Sequence, residues 1–152
     1  MLAQNLVDLG HEKENRNMKR EILDTNVLLR FFVGDEALQQ KEASLWFSEA
    51  EKGKRKIVLN SLVVAEATFV LESFYKKDRK EIAEVFEVFI SQRWLDVPER
   101  DVLLGLWSWY IKGLHFVDSF LLSWASLSDL AILSFDKPLK RAENLMQKNM
   151  KE

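Results

Sequence analysis

Four acidic residues stand where a carboxylate is out of place unless something uses it. Asp24 closes the short run Ile22-Leu23 and is followed by Thr25-Asn26 and a second apolar run, Val27-Leu28-Leu29. Glu66 has Leu62, Val63, Phe69 and Val70 at helical spacings of three and four, with Ala65 and Ala67 beside it. Asp118 is surrounded in the same way by Leu114, Leu121, Leu122 and Ala125. Asp136 follows Ile132-Leu133-Ser134-Phe135. A lone buried carboxylate is costly unless it is paired or bound to a cation. Several carboxylates at one place raise one another's pKa unless a cation neutralises them. Oxygen-only donors in a chain without cysteine suit a hard ion, Mg2+ or Mn2+. Such an ion activates water and stabilises charge building on a phosphate.

Each acid also has a plainer reading. Asp24 and Asp136 stand where an Asp caps the helix that follows, the second of these helices starting near Pro138. Asp118 lies near a helix start, where cap and dipole both favour it. Glu66 could pair with a buried Lys or Arg, but no basic residue lies on its stripe within one turn. Asn26 could orient Asp24 or be the cap itself. Ser134, two residues before Asp136 and on the same strand face, could hydrogen-bond a carboxylate or a water on the ion.

These residues need elements to position them. Residues 19–23 read as a strand, 27–32 as a short helix, and Gly34-Asp35 as a turn. Asp35 would cap an amphipathic helix through Ala50, with Leu38, Leu45 and Trp46 on one side. A second strand, 57–59, leads through Asn60-Ser61 into the helix 62–75 that carries Glu66. Another helix follows over 78–90, with Ile82, Val85, Phe86 and Phe89 on its buried stripe. Then come a weaker strand, 94–97, and helices 99–111 and 117–127. A fourth strand over 131–134 and a helix from 138 to about 146 complete the order. Short strands separated by helical connections imply an α/β fold with a parallel sheet and helices on both faces. Sites in such folds lie beyond the carboxyl ends of the strands. That rule places Asp24, at the end of a buried central strand and facing a pocket, together with Asp136 on the functional edge.

The chain has 152 residues, 47% of them hydrophobic, which suits one domain with a full core. A net charge of −2 argues against coating long nucleic acid by bulk charge. The absence of cysteine excludes disulfides and thiolate chemistry and fits a reducing compartment such as the cytoplasm. No apolar run approaches the length that crosses a bilayer. Residues 1–17 are polar and read as a flexible or weakly helical extension that is no secretory signal, with Met18 a possible natural start. The domain proper is 18–152.

Leu23-Asp24-Thr25-Asn26, Ala65-Glu66-Ala67, Val117-Asp118-Ser119 and Ser134-Phe135-Asp136-Lys137 together resemble the motifs of the PIN-domain ribonucleases, most of all the VapC-type toxins of toxin–antitoxin pairs. The likeness runs from about Lys19 to Arg141. It implies a three-layer α/β/α sandwich with a central parallel sheet of four or five strands. It implies Mg2+ or Mn2+ held by Asp24, Glu66, Asp118 and Asp136, with Asn26 and Ser134 in support. The implied reaction is hydrolysis of RNA phosphodiester bonds; the implied partners are a second copy, as a homodimer, and a cognate antitoxin protein. Phe120, Leu121 and Trp124 are bulkier than the family's usual residues after the third acid, and no fifth strand follows 139–146.

Arg30, Lys137, Lys140 and Arg141 are candidates for phosphate contacts, against the plainer reading of solvated helix faces. His115 could assist the reaction or be structural. Trp107, Trp109 and Tyr110 fit a partner surface or a core helix equally. Two rival readings remain: a non-catalytic module that binds RNA or an antitoxin peptide, and a phosphoacceptor receiver domain. Lys137-Pro138 faintly favours the receiver; the lack of paired acids after the first strand counts against it. A haloacid-dehalogenase-type phosphatase fits less well, because Asp24-Thr25-Asn26 lacks its second acid.

Overall fold

The computed structural model describes residues 18–152; the predicted extension, 1–17, lies outside the described residues. The described chain divides into two compact units. One takes in the residues up to Asn60 together with Arg93–Pro98, the other Ser61–Gln92 and Glu99–Glu152.

Three parallel strands organise the first unit: β1 (Arg20–Ile22), β2 (Lys56–Val58) and β3 (Leu95–Asp96), in the order β1-β2-β3. Glu21 pairs with Ile57, and Ile57 with Leu95. The ladder continues past the strand ends through Leu23 N–H to the Val58 carbonyl and Leu59 N–H to the Asp96 carbonyl, both 2.9 Å. An Arg20–Asp96 ion pair links the outer strands.

Two helices follow β1. In α1 (Thr25–Val33), Leu28 and Leu29 are buried, and Gly34 ends the helix in the left-handed region at φ 70°. Arg30, in its last turn, donates to Asp35 at 2.8 and 2.9 Å. That ion pair takes Asp35 away from its predicted role as a cap, and α2 (Ala37–Glu51) starts after Glu36 instead. α2 buries Ala43, Phe47 and Ala50, while Leu38 and Leu45 face solvent. Phe47 meets Phe31 edge-on at 4.8 Å and Trp94 at 5.6 Å. This aromatic contact sets which face of the helix turns inward.

Two expectations about the sheet are corrected. β1 is an edge strand among the described residues, with Ile22 78% exposed, where a buried central strand was predicted. Residues 131–134 form no strand, so the expected sheet of four or five strands is one of three among the described residues. The physical reason lies in Ile132. Its N–H donates to the Glu143 carboxylate at 2.7 Å and its carbonyl accepts from Lys140 Nζ at 2.8 Å. Both groups a strand ladder would use are satisfied by side chains of the following helix.

The second unit is helical: α3 (Ser61–Ser73), α4 (Arg79–Ile90), α5 (Arg100–Gly105), α6 (Trp107–Tyr110), α7 (Phe116–Ser126) and α8 (Lys137–Asn149). Its centre is Trp107, stacked on Phe86 at 5.2 Å and 9° and met edge-on by Tyr110 at 5.6 Å. Trp107 and Tyr110 are therefore core, not a partner surface. The single helix predicted over 99–111 is interrupted at Leu106, although Leu103, Leu106, Trp107 and Tyr110 keep one buried stripe. Gly105 passes so close to α7 that a Cβ there would collide with Ser123 Oγ. A second cluster joins α7 to α8 through Leu122, Ala125, Leu139, Ala142 and Met146, with Ile132 packed against it.

No helix of the described residues is long and apolar enough to cross a membrane.

Candidate functional site

Asp24 lies just beyond the carboxyl end of β1. Its extended backbone (φ −84°, ψ 149°) ends the strand, and its carboxylate accepts from the Asn26 N–H at 3.3 Å. Asp24 is therefore the N-cap of α1, and Asn26 supports it through its main chain. Asp24 lines a cleft of about 200 Å³ with Ile22, Val27, Trp46 and Arg55. Arg55 is the cation of that cleft. It donates to both oxygens of Glu21 at 2.8 Å and to Glu49 at 3.0 Å, and lies 5.7 Å from the Trp46 ring centre.

Asp136 has the corresponding place before α8. One carboxylate oxygen accepts from the Leu139 N–H at 2.8 Å, so Asp136 caps its helix. Ser134 Oγ accepts the Asp136 N–H at 2.9 Å, fixing the main chain rather than the carboxylate. In both caps the second carboxylate oxygen has no hydrogen bond to the described residues.

Asp118 is in the first turn of α7, three residues after the N-cap position His115, whose side chain makes no capping bond. That is a dipole position rather than a cap. Asp118 is half-buried, while Glu66, on α3, is exposed. This corrects the expected burial of Glu66: Leu62 and Phe69, its stripe partners, also face outward, and α3 buries Val64, Ala67, Thr68 and Leu71 instead. Helix α3 packs on α7, and α7 on α8, so the supports of these three acids form one set of packed helices.

Among the described residues no group of three or more His, Asp or Glu side chains forms a cation-holding cluster. The donor set nonetheless fits a hard divalent ion by its chemistry, being oxygen throughout, with open oxygens on both caps.

The four basic candidates separate. Arg30 is held by Asp35 and Gln39, and Lys140 by Glu143 at 2.5 Å and the Ile132 carbonyl. Lys137 and Arg141 are exposed. Two further carboxylates, Glu143 and Glu72, are held by well-defined partners. Glu143 is only 2% exposed, and its own helix signalled this through Leu139, Ala142 and Met146 around it. Lys140 and the Ile132 N–H outweigh burial and hold its pKa below the ordinary carboxylate value. Glu72 accepts from Tyr110 at 2.7 Å and Arg79 at 2.9 Å. Partial burial favours its neutral form, but these bonds and the Arg79 charge lower its pKa.

A family model described as the PIN domain matches residues 22–145, which include all four acids. The chain belongs to the PIN domain family. A VapC ribonuclease of Aquifex aeolicus (strain VF5) is 31% identical to this PIN domain over 77 residues, 51% of this chain and 56% of that protein. The chain thus spans little more than half the length of that relative. No solved structure matches it.

Proposed function

We propose that this PIN domain is a Mg2+- or Mn2+-dependent ribonuclease that hydrolyses RNA phosphodiester bonds, and the toxin of a toxin–antitoxin pair acting in the cytoplasm. The observation that carries this reading is the family match across Asp24, Glu66, Asp118 and Asp136, supported by the similarity to a VapC ribonuclease.

In this reading the four carboxylates hold the ion. When bound, it activates water and offsets the charge that develops on the phosphate. The chain's own contribution is to hold the donors still. The Asn26 and Leu139 N–H groups each fasten one carboxylate oxygen, of Asp24 and Asp136, and leave the other to ligate. Ser134 fixes the main chain at Asp136. Lys137 and Arg141 contact phosphate; Arg30 and Lys140 are left out of that role because their charged groups already serve Asp35 and Glu143. A second copy of the chain and an antitoxin protein are its partners.

The test is RNA cleavage by the purified chain with Mg2+ or Mn2+ and with chelator, beside Asp118→Asn. Cleavage that needs the ion and falls about 100-fold or more in the variant is expected, the order of loss seen when a key electrostatic group is removed. Undiminished cleavage by Asp118→Asn would sink the assignment. Calorimetry showing no binding of either ion would leave a non-catalytic RNA- or peptide-binding module. For the toxin role, expression should arrest growth and Asp24→Ala should relieve it.

A further inference from the structure

The last helix separates charge in a way the whole chain does not. Residues 137–149 hold four basic residues and one acid, a net +3, so the rest of a chain of net charge −2 carries −5. The one acid, Glu143, points inward, buried and paired with Lys140. It neutralises Lys140 and nothing else, and no carboxylate is left on the outer face of α8.

On that face Lys137, Arg141, Asn144 and Lys148 recur at spacings of four, three and four, which is one narrow row along a helix. All four are exposed. Among the described residues none of the three cations takes part in an ion pair. At 1.5 Å per residue the row runs for roughly 16 Å. It starts one residue after Asp136, and Lys151 lies just beyond its far end.

We propose that this row binds the phosphodiester backbone of a single-stranded nucleic acid, RNA in the nuclease reading, and leads it along α8 to Asp136. Three unpaired cations in line, with an amide among them, offer the contacts that phosphate and sugar take. A single row suits one backbone. Of the exposed large apolar side chains among the described residues, Leu145 alone belongs to α8, while Leu133 and Phe135 precede the helix and Met150 follows it, so the row's own face lacks the apolar centre on which a protein partner would anchor. The choice of RNA, and Asp136 as the destination, rest on the proposed nuclease function; the backbone-binding row does not.

The experiment is binding of fluorescent single-stranded RNA and DNA oligonucleotides of one sequence, in chelator so that nothing is cleaved, across a salt series. The wild-type chain, Lys148→Gln and Arg141→Gln/Lys148→Gln are compared, with a polyglutamate peptide as competitor. Each lost phosphate contact lowers the slope of log affinity against log salt by about 0.7. The double variant is therefore expected to lose about 1.4 from the slope and to bind several-fold more weakly. RNA bound more tightly than DNA assigns the row to RNA; equal binding assigns it to the shared backbone. An unchanged slope, no measurable binding, or polyglutamate competing as well as RNA of equal charge would overturn it, the last by giving the row to an acidic protein. Asp24→Asn keeps the two readings apart. If it cleaves normally the nuclease reading falls and the row stands; if the slopes do not move the row falls and the nuclease reading stands.

Discussion

The backbone N–H of Ile132 donates to the buried carboxylate of Glu143 at 2.7 Å. The bond ties the stretch before Asp136 to the helix after it, and Lys140 completes it from the solvent side.

Removing this carboxylate leaves a partly buried amide without an acceptor and Lys140 without its ion-pair partner, held by the Ile132 carbonyl alone. Glu143→Ala is expected to destabilise the protein by about 2 kcal/mol in denaturant melts. The pH dependence has a definite sign. The folded-state pKa of Glu143 lies below its ordinary 4.5, so its contribution is complete above that value and is lost as pH falls through the lowered one. Glu143→Gln should flatten the acid limb of the melting temperature against pH. An acid limb unchanged from wild type would count against this account.

Asp136 both caps a helix and stands as a proposed ligand, and one substitution separates the roles. Asn caps about as well as Asp but carries no charge. Asp136→Asn should hold stability within about 0.5 kcal/mol and lose cleavage about 100-fold or more; Asp136→Ala should lose both, with about 1 kcal/mol of stability. Cleavage that follows the cap rather than the charge would make Asp136 structural only.

Tyr110 is buried, and its hydroxyl donates to Glu72 while Arg79 lies 4.4 Å from its ring centre. Burial, then the bond to Glu72 and its charge, push the phenol pKa well above its ordinary 10.0. A raised folded-state pKa gives stability that is present below the unfolded value and lost as pH rises through the folded one. In a Tyr75→Phe background, phenolate absorbance should therefore emerge only in strong alkali. Tyr110→Phe should cost about 1 kcal/mol. A phenolate titrating near 10.0 would show the hydroxyl to be solvated.

Gly105→Ala places a methyl group against Ser123 Oγ, which itself donates to the Val102 carbonyl at 2.7 Å. A loss of about 1–3 kcal/mol is expected, as for other overpacked sites. Adding Ser123→Ala should recover part of it in a double-mutant cycle. Additive losses would place the strain elsewhere.

The sequence carried most of the element pattern, because apolar periodicity and caps are local. Strands β1 to β3 and the helices fall near the predicted places, and Asp24 and Asp136 were already readable as caps. What failed depended on competition between partners. Asp35 was taken from its cap by Arg30, and Ile132 from a strand by Glu143 and Lys140. The stripe around Glu66 predicts burial, but α3 turns that stripe outward and buries Val64, Ala67, Thr68 and Leu71. Glu143 sits in a stripe of the same kind and is the acid that is truly enclosed. Periodicity shows that a carboxylate shares a face with apolar residues; it does not show which face of the helix is covered.

The two caps have a consequence for any cation that meets them. A free aspartate must give up rotation about its side-chain bonds when it ligates, and that loss of entropy weakens binding. Asp24 and Asp136 have given it up already, to the Asn26 and Leu139 amides, as part of folding. An ion arriving at either one meets an oxygen already immobilised, and each amide that holds it is a fixed dipole aimed at the same carboxylate. Folding has met the ordering cost at these two positions before an ion binds.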